Sequence, residues 1–121
     1  MNPNPDLMRK ILIAADSGVP LPEIEGLTLE ELACNVEFCI EAGFATGVVT
    51  RTAGLAYDLA ITKVLWPGHQ FIKSATKSPE LWNKFKEEFI RVAPKVSVAA
   101  LVAVAKAWLA KLLPGEPPQH P

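Results

Sequence analysis

Histidine and cysteine are the side chains of this sequence best suited to catalysis or metal binding. His69 follows Gly68 at a predicted helix start, and no second titratable group stands at a spacing that would form a catalytic dyad with it. Cys34 and Cys39 have no nearby histidine and lack the two-residue spacing of zinc ligands. The sequence also lacks a glycine-rich phosphate loop and a serine-centred elbow. We therefore expect no catalytic residue, metal site, cofactor or small-molecule ligand, and a non-enzymatic protein.

Basic side chains could do a different kind of chemistry, by contacting phosphates. Neutralisation of phosphates by lysine and arginine dominates the affinity of proteins for duplex DNA. The candidate nucleic-acid contacts are Arg51, Lys63, Lys73 and Lys77. Most of them could equally be ordinary solvated bases, so the pattern alone leaves DNA binding open.

Composition predicts one globular domain with a charge asymmetry. Of the 121 residues 50% are hydrophobic and 21% charged, which is enough apolar surface for the chain to fold alone. The formal net charge is -1. Residues 1–45 carry two basic and eight acidic side chains, whereas residues 46–121 carry ten basic and five acidic ones. We expect an acidic end and a basic end.

The cysteines and the N-terminus favour a cytoplasmic protein. Cys34 and Cys39 are five residues apart in one predicted helix, where their side chains point to different faces and cannot form a disulfide. Free thiols suit a reducing compartment, and the N-terminus lacks the features of a secretory signal. The apolar segment 98–113 is too short, and too charged near its end, for a membrane span, so no membrane association is expected.

The clearest helix signal lies around residues 28–44. Thr28 and Glu31 form a capping-box pattern, and Gly43 stands at the left-handed position that commonly ends helices. This pattern predicts a helix from about 29 to 42. Similar cap, proline and stop signals predict helices from Asn4 to Gly18, from Trp66, from Ser78 to Pro94, and over 98–113 after Ser97.

Between residues 45 and 65 the apolar period changes from helical to about two, which predicts a β-hairpin with its turn at 50–54. A two-stranded hairpin is marginal alone, so it must lie on the preceding helices as a wing. The expected fold class is mainly α with a small β-hairpin, a winged helix-turn-helix with a C-terminal helical extension. The domain would fill residues 1–113, with a disordered proline-rich tail at 114–121.

The last predicted helix, 98–113, is apolar nearly all round, so something must cover it. Either the domain wraps it on two sides or a second copy of the chain does. In the second case the helix would form a homodimer interface. The candidate interface residues are Leu101, Val104, Trp108 and Leu112.

Four segments resemble the bacterial and phage family called domain of unknown function 2513. They are PDLMRKIL at 5–12, IEAGF at 40–44, WPGHQFI at 66–72 and LWNK at 81–84. The resemblance covers most of residues 5–113. In that family the hairpin runs into a Leu-Thr-Trp-Glu-Gly-His phrase, whereas here Val64 and Leu65 precede Trp66 and Pro67 replaces the acid. The resemblance implies a winged helix with a C-terminal helical extension and a regulatory role, without an established activity.

Two functions from different classes remain. The fold analogy and the bases after position 45 favour a DNA-binding or transcription-regulatory factor. Against it, the helix that a winged helix inserts into the major groove carries four glutamates, at 30, 31, 37 and 41, and no base. The alternative is a protein-interaction or oligomerisation module built on helix 98–113, without nucleic-acid binding. The resemblance favours the regulator.

Overall fold

A computed structural model of the chain describes residues 2–21 and 24–112. This part of the chain is mainly helical, with an antiparallel hairpin between the second and third helices. The elements are α1 Pro5–Asp16, α2 Leu29–Glu41, β1 Ala45–Thr52, β2 Leu55–Val64, α3 Trp66–Lys77, α4 Pro79–Val92 and α5 Val98–Leu112, with a 3-10 turn Ala93–Lys95 between α4 and α5. The arrangement is winged-helix-like, which confirms the predicted fold class.

Side-chain caps begin the first two helices. The Asn4 side chain accepts hydrogen bonds from the first amides of α1. At α2 the Thr28 hydroxyl accepts from the Glu31 amide at 3.1 Å, and the Glu31 carboxylate accepts from the Thr28 amide at 2.9 Å. The predicted capping box is confirmed. Buried Asn35 joins the two helices, because its carbonyl accepts from the Asn4 amide at 2.8 Å while its NH2 group donates to the Glu31 carbonyl.

The turn of the hairpin is shorter than the one predicted from the sequence. Ala53 and Gly54 form the turn with φ angles of 53° and 82°, and the positive φ at both central residues suits the right-handed twist of the strands. Thr50, Arg51 and Thr52, which were expected in the turn, pair with β2 instead. The prediction of a turn at 50–54 is therefore wrong, because two residues suffice to reverse the chain.

Two clusters of buried side chains form the core. The larger one is aromatic, and in it the Phe44 ring stacks on Phe71 at 4.9 Å while Trp82 meets Phe71 edge-on at 5.3 Å. The smaller one lies under the wing, where Leu59 of β2 packs with apolar residues of α1 and α2. The wing is thus held by its apolar face, as expected for a two-stranded sheet.

A glycine allows α3 to dock closely on the end of the hairpin. The amide of Leu65 donates to the Phe44 carbonyl at 2.9 Å, and a Cβ added to Gly68 would lie 2.2 Å from that carbonyl oxygen. No side chain fits in that space. The glycine of the segment 66–69 is therefore explained by packing.

The chain covers one side of α5. Leu101, Ala105 and Leu112 are 1–3% exposed, and the Ser78 hydroxyl donates to the Leu112 carbonyl at 3.2 Å. Of the two ways of covering this helix, the domain itself supplies at least one side. The predicted tail at 114–121 lies outside the described residues.

Candidate interaction surfaces

Arg51 of β1 lies between two glutamates of α2. Its Nη2 is 2.6 Å from a Glu37 carboxylate oxygen, and its Nη1 is 3.2 Å from Glu30 Oε1. The same Nη1 donates to the Gly54 carbonyl of the turn. Hydrogen bonds to Glu37 and then to Glu30 raise the pKa of the guanidinium above its ordinary value. The first of the four predicted phosphate contacts is therefore already neutralised by two carboxylates, and it fastens the wing to α2.

The sequence does not reveal this arrangement because the partners are 14 and 21 residues from Arg51. Helical geometry explains why the two glutamates lie close together. Residues 30 and 37 are seven apart, two turns of α2, so their carboxylates lie on one face. The register of the hairpin explains the position of Arg51, because it sets which β1 side chain faces α2.

A groove of about 820 Å³ runs along this face of α2, and we call it the α2 groove. Its acidic wall is formed by Glu30, Glu37 and Glu41, with Arg51 as the basic side chain among its lining residues. Cys34 lies between them and is half-buried, and desolvation raises the pKa of its thiol. The other lining residues are Asn2, Pro3, Phe38, Ala93, Val96, Val98, Ala99 and Leu101.

A second part of the lining, which we call the apolar wall, comes from the connection after α4 and from α5, and it is partly exposed. Val96, in the connection after α4, is 40% exposed, and Val98 at the start of α5 is 56% exposed. Phe38 and Leu101 also line the groove, and both are buried. The groove therefore combines an acidic wall with exposed apolar side chains, and sequence analysis missed it because its two walls are far apart in the chain.

The three predicted lysine contacts lie elsewhere and are exposed. Lys63 lies near the end of β2, and Lys73 and Lys77 are on α3. Within the described residues none of them forms an ion pair. The segment 59–79 contains these three lysines and no acidic residue.

Helical spacing aligns part of this region. Trp66, Gln70, Lys73 and Lys77 recur every three or four residues, so they share one face of α3. We call them the α3 stripe. Trp66 at its start is 39% exposed. Lys73 and Lys77 thus share a helix face with an exposed aromatic ring, whereas Lys63 lies on β2 and Arg51 on β1.

The four predicted interface residues of α5 do not form one open face. Leu101 and Leu112 are 2% and 3% exposed, covered by the rest of the chain. Val104 and Trp108 are half-buried, and the Trp108 ring lies 6.2 Å from Phe85 and 4.7 Å from the Lys111 ammonium. Of these four residues, a second copy of the chain could reach only Val104 and Trp108 without displacing α5.

His69 has a neighbour that the sequence did not reveal. Its Nε2 lies 3.9 Å from the Asp16 carboxylate at the end of α1; His69 is half-buried and Asp16 is exposed. In residues 2–21 and 24–112 no three histidine, cysteine, aspartate or glutamate side chains are grouped so that they could hold a metal ion. Neither Cys34 nor Cys39 forms a disulfide with a described residue, and burial raises the pKa of the Cys39 thiol.

The class that the fold defines is a small winged-helix-like protein with an added C-terminal helix. The chain belongs to the family described as hypothetical protein DUF2513, whose match spans residues 3–93. The match ends before α5, so it is shorter than the resemblance expected through residue 113. No curated protein and no solved structure matches the chain. Across the described residues, every helix is too short or too polar to cross a membrane.

Proposed function

We propose that this protein is a non-enzymatic DNA-binding factor of the transcription-regulatory class that contacts the phosphate backbone through Lys63, Lys73 and Lys77. The observation that carries the proposal is the basic segment 59–79, which contains three exposed lysines and no acidic residue of its own. Trp66 adds a planar ring at the start of the α3 stripe. Cys34 and Cys39 are not joined by a disulfide, which suits a reducing compartment, and we propose the cytoplasm.

The proposed mode differs from the usual use of a winged helix, in which the second major helix enters the major groove. The outer face of α2 presents Glu30, Glu37 and Glu41, which repel phosphates. Arg51, which is paired with Glu30 and Glu37, offsets only part of this repulsion, because the face carries three carboxylates and a single guanidinium. The lysines of β2 and α3 therefore remain as the bases best placed to bind DNA.

The proposal predicts a shallow salt dependence that the three lysines determine. Each neutralised phosphate contributes about -0.9 to the slope of log affinity against log salt, so three contacts give a slope of about -3. Fluorescence anisotropy with a labelled duplex at several salt concentrations measures that slope. Lys73→Ala and Lys77→Ala should each lower its magnitude by about 1.

Two controls make this experiment decisive. Lys95→Ala removes an exposed base from the connection between α4 and α5, and Arg51→Ala removes the paired base, so both should leave the slope unchanged. Absence of duplex binding at low salt would refute the proposal. So would equal effects of Lys73→Ala and Lys95→Ala, because binding would then follow net charge alone.

The alternative is an oligomerisation module built on α5. It is supported by Val104 and Trp108, which are apolar and only half-buried. It is weakened because Leu101 and Leu112 are covered within one chain. Solution mass by sedimentation tests it: a dimer that dissociates in Trp108→Glu would favour the module, and a monomeric wild-type protein would refute it.

A further inference from the structure

We propose that the α2 groove binds a cationic, amphipathic segment of a partner protein, with basic side chains against Glu37 and Glu41 and apolar side chains against Val96 and Val98. This inference does not depend on DNA binding, since the groove and the α3 stripe share no residue.

Charge complementarity determines the sign of the partner. Among the described residues, three carboxylates and one guanidinium line the groove. Glu41 is exposed and forms no ion pair with a basic side chain in the described part of the chain. A partner that brings lysine or arginine would complete this charge pattern, whereas an acidic or phosphorylated partner would be repelled.

The apolar wall determines that the partner is amphipathic. Val96 and Val98 are 40% and 56% exposed and line the same groove as the carboxylates. Burying such side chains against apolar atoms of a partner is favourable because it removes apolar surface from water. A small cation or a uniformly basic tail would leave this wall uncovered.

The length of the acidic wall suits a short helix. Glu30 and Glu41 are eleven residues apart on α2, which corresponds to about 16 Å along the helix axis. A partner helix of about three turns covers the same distance, with its basic residues on one side and its apolar residues on the other.

Arg51 acts in this proposal as an internal competitor. Its guanidinium occupies the position between Glu30 and Glu37 that a basic residue of the partner would otherwise take. Removing it should therefore strengthen binding of a cationic segment. A purely structural role of Arg51 would predict the opposite, because loosening the wing would damage the groove.

The last nine residues of this chain do not fit as the occupant. Segment 113–121 contains one glutamate and neither lysine nor arginine. A segment with that composition supplies no lysine or arginine to the acidic wall.

The test uses a synthetic fourteen-residue helical peptide, of about four turns, with lysine and leucine repeated at helical spacing, and a counterpart in which glutamate replaces lysine. Binding of each labelled peptide to the full chain is measured by anisotropy. The lysine peptide should bind and the glutamate peptide should not. Glu41→Lys should weaken binding about tenfold, and Val98→Ser should weaken it as well. Arg51→Ala should strengthen it about fivefold.

The matched control is Glu87→Lys, which makes the same charge change at an exposed position of α4 outside the groove. Equal weakening by Glu87→Lys and Glu41→Lys would overturn the proposal, as would absence of binding by the lysine peptide. Amide chemical shifts in a titration should change around Glu37 and Val98. A wild-type dimer that Glu41→Lys dissociates would overturn the assignment to a partner protein, because the groove would then hold a second copy.

Discussion

Residues of the same charge have different roles here because their neighbours differ. Arg51 is within 3.2 Å of two carboxylates, whereas Lys73 and Lys77 form no ion pair with a described residue. An exposed base without a partner can approach a phosphate at little cost, but a paired one must first give up its carboxylates. The same reasoning applies to Glu31, whose hydrogen bonds with Thr28 distinguish it from the other glutamates of α2.

Glu31 should make stability depend on pH through the α2 cap. Hydrogen bonds from the Thr28 amide and hydroxyl lower the pKa of this carboxyl below its ordinary value of 4.5. The lowered pKa means that the charged form stabilises the fold. That contribution is present above pH 4.5 and is lost as the pH falls through the lowered pKa. Glu31→Ala should therefore reduce the free energy of unfolding at pH 7, and the difference from wild type should shrink below pH 4.

Urea unfolding at a series of pH values measures this effect. Glu25→Ala, an exposed change before the helix, is the control and should leave the curve in place. If the difference in the free energy of unfolding between Glu31→Ala and wild type stayed constant down to pH 2, the charged form of Glu31 would not be its cause.

Each element of the molecule is held by contacts that another element supplies. The wing is a two-stranded sheet, so it needs α1 and α2 beneath it. Apolar packing through Leu59 anchors its middle, and Arg51 anchors the end near the turn. Docking of α3 depends in turn on the hairpin, because Leu65 and Gly68 meet the Phe44 carbonyl.

The Arg51 contacts should restrict motion near the tip of the wing. Arg51→Ala removes the link from β1 to α2 while leaving the packing of Leu59 intact. Amide hydrogen exchange near Thr50 should become faster, by up to about fivefold, with little change around Leu59. Lys63→Ala on β2 is the matched control and should leave both rates unchanged. Faster exchange along the whole hairpin would show that Arg51 supports more than the tip.

At the scale of the whole molecule, the winged-helix-like part and α5 form one body. The family match ends at residue 93, yet α5 packs on α3 and α4 and contributes to the same aromatic cluster. Its addition also completes the α2 groove, because Val98, Ala99 and Leu101 lie on it. The C-terminal helix thus closes a surface that the matched region leaves incomplete.

The packing of α5 gives a matched pair of substitutions. Leu101 is 2% exposed and Val98 is 56% exposed on the same helix. Leu101→Ala should lower the free energy of unfolding by about 2–5 kcal/mol, since a buried leucine leaves a cavity. Val98→Ala should change it by less than about 0.5 kcal/mol. Denaturant unfolding at two protein concentrations measures both, and a Leu101→Ala effect that depends on concentration would indicate an interface between copies instead.

The sequence by itself determined the local structure. The capping box at Thr28 and Glu31, the stop at Gly43 and the change of period after residue 45 depend on neighbours within a few residues, so their types suffice to predict helices and a hairpin. The turn was predicted too long, because pairing of Thr50 to Thr52 with β2 depends on how the strands lie on α2.

Only the tertiary structure decided which charged side chains and apolar faces remain available for contacts with a partner. Arg51 meets glutamates 14 and 21 residues away, and Leu101 is buried by helices that precede it in the chain. These contacts depend on the mutual position of elements, which side-chain periodicity does not contain. For that reason sequence analysis grouped the lysines of α3 and the arginine of β1 as candidate phosphate contacts, whereas the fold places them in different surroundings.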